Sequence, residues 1–325
     1  MVTLFHTEDV AHANRHGSNI LDLFAGPGGW SHALTEFGLT ETGIKYDPRA
    51  CSTRRAAGHL TIETSVTDTN PNEYNAHRGL IASPPCQTFS TAGNRAGHKI
   101  IDTLRINIEL GHFDDRPSTD ERSWLPLEVG RYVEVLWPEW VALEQVPGAL
   151  PLWESYAAWL DGNGYNVWYG IINSADYGVP QTRKRAVLIA SANHAVTKPV
   201  ATHDRTGANG LPTWVTLADA LGDTSRQMQW AVNTGRAWNQ QRGGAQVVQC
   251  GTNPAPTLTT KSGSQWNIGD GTRGPHTRRL SIADALTIQS FPAGYPVQGT
   301  IGERFTQIGN AVPPAMAAAV LRQVI

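Results

Sequence analysis

Between residues 19 and 190, short apolar runs alternate with stretches of helical spacing, and this alternation limits the folds open to the chain. Residues 19–24, 43–47, 61–62, 80–82, 140–144, 165–172 and 186–190 read as strands. Helical spacing follows several of them, at 30–34, 48–58, 123–136 and 152–160. Strands separated by helices pair in parallel, with helices packed on the sheet. The expected fold class is therefore α/β, with a Rossmann-like, mostly parallel sheet. Residues 93–120 are polar and turn-rich, with Gly93, Gly97, Gly111 and Pro117, and are expected to form a loop. From about Ser191 helices become hard to draw, and Trp214, Trp230, Trp238 and Trp266 are interleaved with Arg and Gln. A smaller, irregular domain with a polar, aromatic surface is expected there. Helical periodicity returns at 278–286, with Ser281 or a neighbour as the cap, and again at 315–324.

Composition narrows the class further. The 325 residues are 40% apolar and 17% charged, as in an ordinary globular protein. No run reaches the ~18 apolar residues of a membrane span, and no basic-then-apolar leader opens the chain. Cys51, Cys86 and Cys250 suit neither a disulfide framework nor a metal site, so a reducing compartment with usable thiols is expected. Net charge is −2, yet residues 194–280 hold nine Lys/Arg against four acids. A local basic surface of that kind fits phosphate backbones, and equally fits a solvated face.

Three segments carry chemistry. Leu80-Ile81-Ala82 ends a buried strand, and Pro84-Pro85 then fixes the backbone just before Cys86. A thiol at a strand's carboxyl end is either a nucleophile or a small buried hydrophobe beside a turn. The run 140–144 repeats that logic: an apolar strand ends in Glu144 and is stopped by Pro147-Gly148, and a charge so placed needs a partner. Strand, Ala25-Gly26-Pro27-Gly28-Gly29, then helix is a nucleotide-type turn, in which glycines let the backbone approach a ligand. About 20 residues on, an acidic residue is expected at the end of the second strand, where it would hold ribose hydroxyls.

In order along the chain, Asp22–Gly29, Pro84–Gln87, Glu144–Val146, Gln181–Arg185, Arg279–Pro292 and Gly309–Val312 resemble the DNA (cytosine-5) methyltransferase family. The resemblance implies a catalytic and cofactor domain of residues 1–193 plus 298–325, and a target-recognition domain of 194–297. It implies transfer of a methyl group from S-adenosylmethionine to cytosine C5 in double-stranded DNA, as in restriction–modification systems. Cys86 would be the nucleophile, Glu144 would hold and protonate the N3/N4 edge, and Arg185 with Arg183 would steady base and phosphates. The cytosine must leave the stack to be reached, and the 93–120 loop is the expected lid. Phe24, Gly26, Gly28, Gly29, Tyr46, Pro84, Asn310 and Val312 match cofactor positions. Gln87 and Ser90 fall beside the base, and Arg236, Gln240, Gln241 and Arg242 have groups suited to base edges in a target of two to four base pairs.

The chain departs from the family at three places. Lys45 stands where an acid binds ribose, Ser65 where an aspartate accepts from the adenine amino group, and Gln145 where asparagine is usual. Asp47 or Asp68 could substitute after a small shift. Otherwise the pocket takes an anionic analogue, such as a carboxylated S-adenosylmethionine. The remaining alternatives are an RNA cytosine-C5 methyltransferase and a relative that binds DNA without methylating it. The resemblance also implies a monomer, bacterial or phage-encoded; cysteine spacing and composition lead to the expectation of no metal, no membrane contact and a cytoplasmic place.

Overall fold

A computed structural model of the chain describes residues 19–85, 96–116, 121–222, 229–232, 247–269 and 278–325. Cys86, Gln87, Ser90, Arg236, Trp238, Gln240, Gln241 and Arg242 lie outside the described residues. The chain divides into two compact units, one of residues 1–172, 184–200 and 317–325, the other of 173–183 and 201–316.

The first unit is built on a seven-stranded sheet in the order β3-β2-β1-β4-β5-β7-β6. Its elements in chain order are β1 (Ile20–Leu23), α1 (Gly29–Thr35), β2 (Thr42–Lys45), α2 (Pro48–Ala56), β3 (Leu60–Glu63), β4 (Gly79–Ala82), α3 (Ala96–Leu110), α4 (Pro126–Leu136), β5 (Trp140–Gln145), α5 (Leu150–Gly162), β6 (Asn166–Asn173) and β7 (Lys184–Ser191). β1, β2, β3, β4 and β5 pair in parallel, and β7 runs antiparallel to β5. This is the Rossmann-like, mostly parallel sheet that the alternation of strands and helices predicts. Every residue of β1, β4 and β5 is buried, as expected of parallel strands covered on both faces. Leu21, Leu23, Leu80, Val141, Leu143 and Leu188 share one core with Leu127, Tyr132, Leu152 and Trp153 from the helices.

The expected loop at 93–120 is in large part a helix. α3 takes up 15 of its residues, and its Leu104 and Ile108 join that core. Ile100, Ile101, Leu104 and Ile108 recur at helical spacing, and burial of that stripe outweighs the cost of a glycine in the first turn. The polar segment 117–120 lies outside the described residues.

In the second unit, β8 (Gln229–Val232), β9 (Val247–Cys250), β10 (Trp266–Gly269) and β11 (Arg278–Arg279) form an antiparallel sheet in the order β11-β10-β8-β9. Helices α6 (Ile282–Ile288) and α7 (Ile301–Asn310) follow, and α8 (Pro314–Leu321) has its residues from 317 on in the first unit. Ser281 caps α6 as expected, in a reciprocal capping box with Asp284. Trp266, expected on a polar surface, is buried instead. In strand β10 it shares the inner face of the sheet with Ile268, also buried, two residues on.

Burial, and then the nearby Arg54 charge, hold the His59 imidazole down at about 4, below its ordinary 6.5. Burial lowers His77 as well. Between those two values the unfolded chain binds a proton at His59 that the folded chain refuses, so stability present above pH 6.5 is lost as pH falls toward 4. Thermal melts should show a melting temperature falling from pH 7 to pH 5, with a shallower fall in His59→Gln. Parallel slopes in the two proteins would contradict this assignment.

Candidate active site

The carboxyl ends of β1, β4 and β5 emerge at one edge of the sheet, and the antiparallel β7 begins at that same edge. Strand order reverses between β1 and β4, and α/β sheets bind ligands at such a crevice.

Beyond β4 the backbone is pinned from two sides. The Ser83 N–H donates to Leu23 O (3.3 Å) and Trp30 Nε1 donates to Ser83 Oγ (3.0 Å). Gln145 Nε2 donates to Pro84 O at 2.7 Å, and its Oε1 accepts from the Val146 N–H at 2.5 Å. The extra methylene of Gln145 is thus used to tie the end of β5 to the proline before Pro85. Gln145→Ala should destabilise the fold by about 1–3 kcal/mol, since a buried carbonyl and an N–H lose their partners. A shift in the urea midpoint reads this, and no shift would mean the clamp contributes nothing.

Glu144 follows Leu143, which pairs with Ala82 of β4 and with Leu188 of β7. Its Oε1 meets Arg185 Nε at 2.7 Å, and the two residues are 6% and 9% exposed. Arg185 also donates to Lys184 O at 2.7 Å. A buried carboxylate and guanidinium so paired hold one another in a fixed orientation. Cys51, by contrast, is buried, donates to Lys45 O at 3.1 Å, and has its thiol pushed up to about 11 by burial. It is kept as an unreactive thiol.

Arg183 belongs to the second unit and is 2% exposed. It donates to Leu258 O and Ala311 O, each at 3.1 Å. Gln289 Nε2 donates to the same Ala311 carbonyl at 2.6 Å. Gln181 joins the set, donating to Gln289 Oε1 (2.6 Å) and accepting from the Leu258 N–H (2.7 Å). This buried net fixes the carbonyl between Asn310, which is exposed, and Val312, which is buried. Gln181 and Gln289 stand inside recognisable motifs, yet spacing alone gave them no task.

The cofactor-type turn lies after β1. Phe24 sits at φ 61° and Gly28 at φ 111°, both in the left-handed region. For a bulky residue such as Phe24 that is strained backbone, of the kind held at ligand sites. No atom lies within 4 Å of where a Gly26 Cβ would stand, so the turn is open to a ligand there. The Ala25 N–H donates to Ile44 O at 3.0 Å, which ties the turn to β2.

At the end of β2, Lys45 Nζ lies 4.9 Å from the ring of Tyr46, which is 64% exposed. Asp47 Oδ1 caps α2 by accepting from the Arg49 N–H at 3.1 Å. Ser65 Oγ accepts from the Thr67 N–H, and Asp68, exposed, accepts from Thr67 Oγ1 at 3.1 Å. The open turn and the aromatic Tyr46 fit an adenosyl ligand. The ribose end does not present the acceptor that such a ligand usually meets.

Beneath the turn is a cluster that sequence reasoning missed. Arg54, fully buried, meets Glu41 Oε1 at 2.7 Å, Ser31 Oγ at 2.9 Å, and Leu60 O and Thr61 Oγ1 at 3.1 Å each. Its guanidinium occupies the space over Gly43, where a Cβ would stand 2.1 Å from Nη2. The Asp22 carboxyl lies nearby, and burial raises it well above the usual carboxylate range.

Residues 18–325 match the model of the C-5 cytosine-specific DNA methylase family. The Type II methyltransferase M.AplI of Arthrospira platensis is 28% identical, over 94% of this chain and 85% of its own length. The Type II methyltransferase M.MthTI of Methanothermobacter thermautotrophicus is 24% identical, over 94% of this chain and 96% of its own. Among solved structures, the S. pombe Dnmt2 methyltransferase superposes with a TM-score of 0.64 at 16% identity, covering 93% of this chain and 96% of that one. An Entamoeba histolytica methyltransferase, EhMeth, gives 0.63 at 13% identity, covering 94% and 97%.

Proposed function

Because this chain belongs to the C-5 cytosine-specific DNA methylase family, we propose that it methylates cytosine C5 within a short duplex site, on a base turned out of the stack. One observation carries the reading. The clamp from Gln145 to Pro84 and the Glu144–Arg185 pair share one edge of the sheet, and the chain reaches Cys86 two residues beyond Pro84.

S-adenosylmethionine, when bound, supplies an electrophilic methyl group, and the cradle after β1 is where Phe24, Gly26, Gly28 and Gly29 would hold it, with Pro84, Asn310 and Val312. Cys86 adds as thiolate to C6, which makes the weakly nucleophilic C5 enamine-like and divides one hard step into two easier ones. Glu144 grips the N3/N4 edge and donates a proton to N3, drawing electrons from C6. Arg185 holds Glu144 in place and lends positive charge near the thiolate. After transfer the C5 proton leaves to water and Cys86 is eliminated. Arg183 and Gln289 hold the Asn310–Val312 segment. Gln87 and Ser90 contact the target nucleotide, and Arg236, Gln240, Gln241 and Arg242 read base edges.

The functional division in this reading is 1–193 with 298–325 for catalysis and 194–297 for recognition. The enzyme acts as a monomer in the cytoplasm of a bacterium or a phage-infected cell, as the partner of a restriction nuclease. Lys45 is the observation that keeps an anionic analogue as a second reading of the donor.

Duplex DNA carrying 5-fluorocytosine tests the mechanism, because fluorine cannot leave and the Cys–C6 bond persists. A covalent adduct is expected in wild type with S-adenosylmethionine and none in Cys86→Ala. Adduct formation on transfer RNA alone would move the activity to RNA. Binding to DNA with no adduct would leave a non-catalytic relative.

A further inference from the structure

In α/β nucleotide sites, the residue ending the second strand distinguishes one ribose from another. An acid there accepts from ribose hydroxyls, whereas a cation accommodates a phosphate on the ribose. Here β2 ends in Lys45. Among the described residues no carboxylate comes within ion-pair reach of its ammonium, whose close neighbour is the Tyr46 ring at 4.9 Å. Burial draws the Lys45 ammonium below its ordinary value, against the opposing pull of the Asp47 carboxylate.

The carboxylates near the end of β2 each have contacts other than Lys45. Asp47 caps α2, and Asp68 is exposed and bonded to Thr67. Asp22 is held toward its neutral form by burial, and the Glu41 charge is matched by Arg54. Lys45 therefore stands at the ribose end with no carboxylate paired to it among the described residues.

We propose that this cradle selects an adenosine ligand whose ribose carries an anion, a 2′- or 3′-phosphate, held by Lys45. The inference rests on the reading that the Phe24–Gly29 turn holds an adenosyl group. It places the anion on the ribose and away from the transferred group. β2 is separated from β4 by two strand spacings and from β5 by three, roughly 10 Å and 14 Å, which is more than a lysine side chain spans. A carboxylate on the transferred group, delivered beside β4 and β5, would lie out of reach of Lys45.

Calorimetric titration of the full chain with adenosine, its 2′- and 3′-monophosphates, S-adenosylhomocysteine, S-adenosylmethionine and carboxy-S-adenosylmethionine tests this. One of the two monophosphates should bind about tenfold more tightly than adenosine, with a preference that weakens as salt is added. Lys45→Arg should keep the preference and Lys45→Met should lose it. Lys45→Glu should reverse it and bind S-adenosylhomocysteine more tightly than wild type does. Melting curves identify any variant that fails to fold, and the wild-type and Lys45→Arg titrations decide in that case. Monophosphates no tighter than adenosine, a preference surviving in Lys45→Met, or carboxy-S-adenosylmethionine outbinding S-adenosylmethionine would each overturn the inference. No binding of S-adenosylhomocysteine to any of the proteins would instead count against the methyl-donor reading, while the monophosphate series still judges Lys45.

Discussion

Replacing Arg54 with methionine is expected to destabilise the first unit by about 3–5 kcal/mol, the usual consequence of leaving one member of a buried ion pair alone. Glu41 would keep a buried charge with its 2.7 Å partner gone. Ser31, Leu60 and Thr61 would lose donors at the same time. The double variant Arg54→Met, Glu41→Leu should recover most of the loss, because a packed apolar pair no longer strands a charge. Urea unfolding measures both, with unchanged m values confirming that midpoint shifts report stability. A single variant costing less than about 1 kcal/mol would mean that water reaches the cluster and that Arg54 is not the tie between α1, β2 and β3. Gly43 fits this account, since any side chain there meets the guanidinium.

Arg54 also marks where sequence reading stopped. Its partners come from α1, the start of β2 and β3, so no local period or spacing singles it out. The strands were legible for the opposite reason: β1, β4 and β5 are buried on both faces and read as continuous apolar runs. Glu144 was legible because a charge at the end of such a run must have a reason. The reversal of β7 was not, because an apolar run reads alike in both directions. α3 was hidden by the glycines at both its ends, which drew attention from the Ile100, Leu104, Ile108 stripe. Arg183 and Arg185 are two residues apart and alike in sequence. Arg183 precedes β7 and is enclosed by Leu258 and Ala311, whereas Arg185 lies within the strand and faces Glu144. Lys45 was legible as a departure, and the structure added that Asp47 caps α2 and that Asp68 accepts from Thr67.

Glu144→Gln should lower kcat by about 10²–10⁴-fold, the range for loss of a positioned general acid. Glutamine preserves the length of the side chain, so the change removes the transferable proton and the charge that faces Arg185 at 2.7 Å. Arg185→Ala should act through the same step, because Glu144 then loses the group that orients it. If the two work as one unit, the double variant should be scarcely worse than the poorer single variant, as seen when residues share one chemical task. Losses that simply multiply would assign Arg185 a separate role. Binding of S-adenosylhomocysteine should be unaffected in all three, since Glu144 and Arg185 lie at β5 and β7 and the cradle at β1 and β2. The rate of adduct formation on 5-fluorocytosine DNA should fall together with kcat in Glu144→Gln, because attack at C6 requires the withdrawal of electrons that the proton on N3 provides. A variant that forms the adduct at the wild-type rate while losing methyl transfer would separate Glu144 from that attack and leave Cys86 to accomplish it unaided.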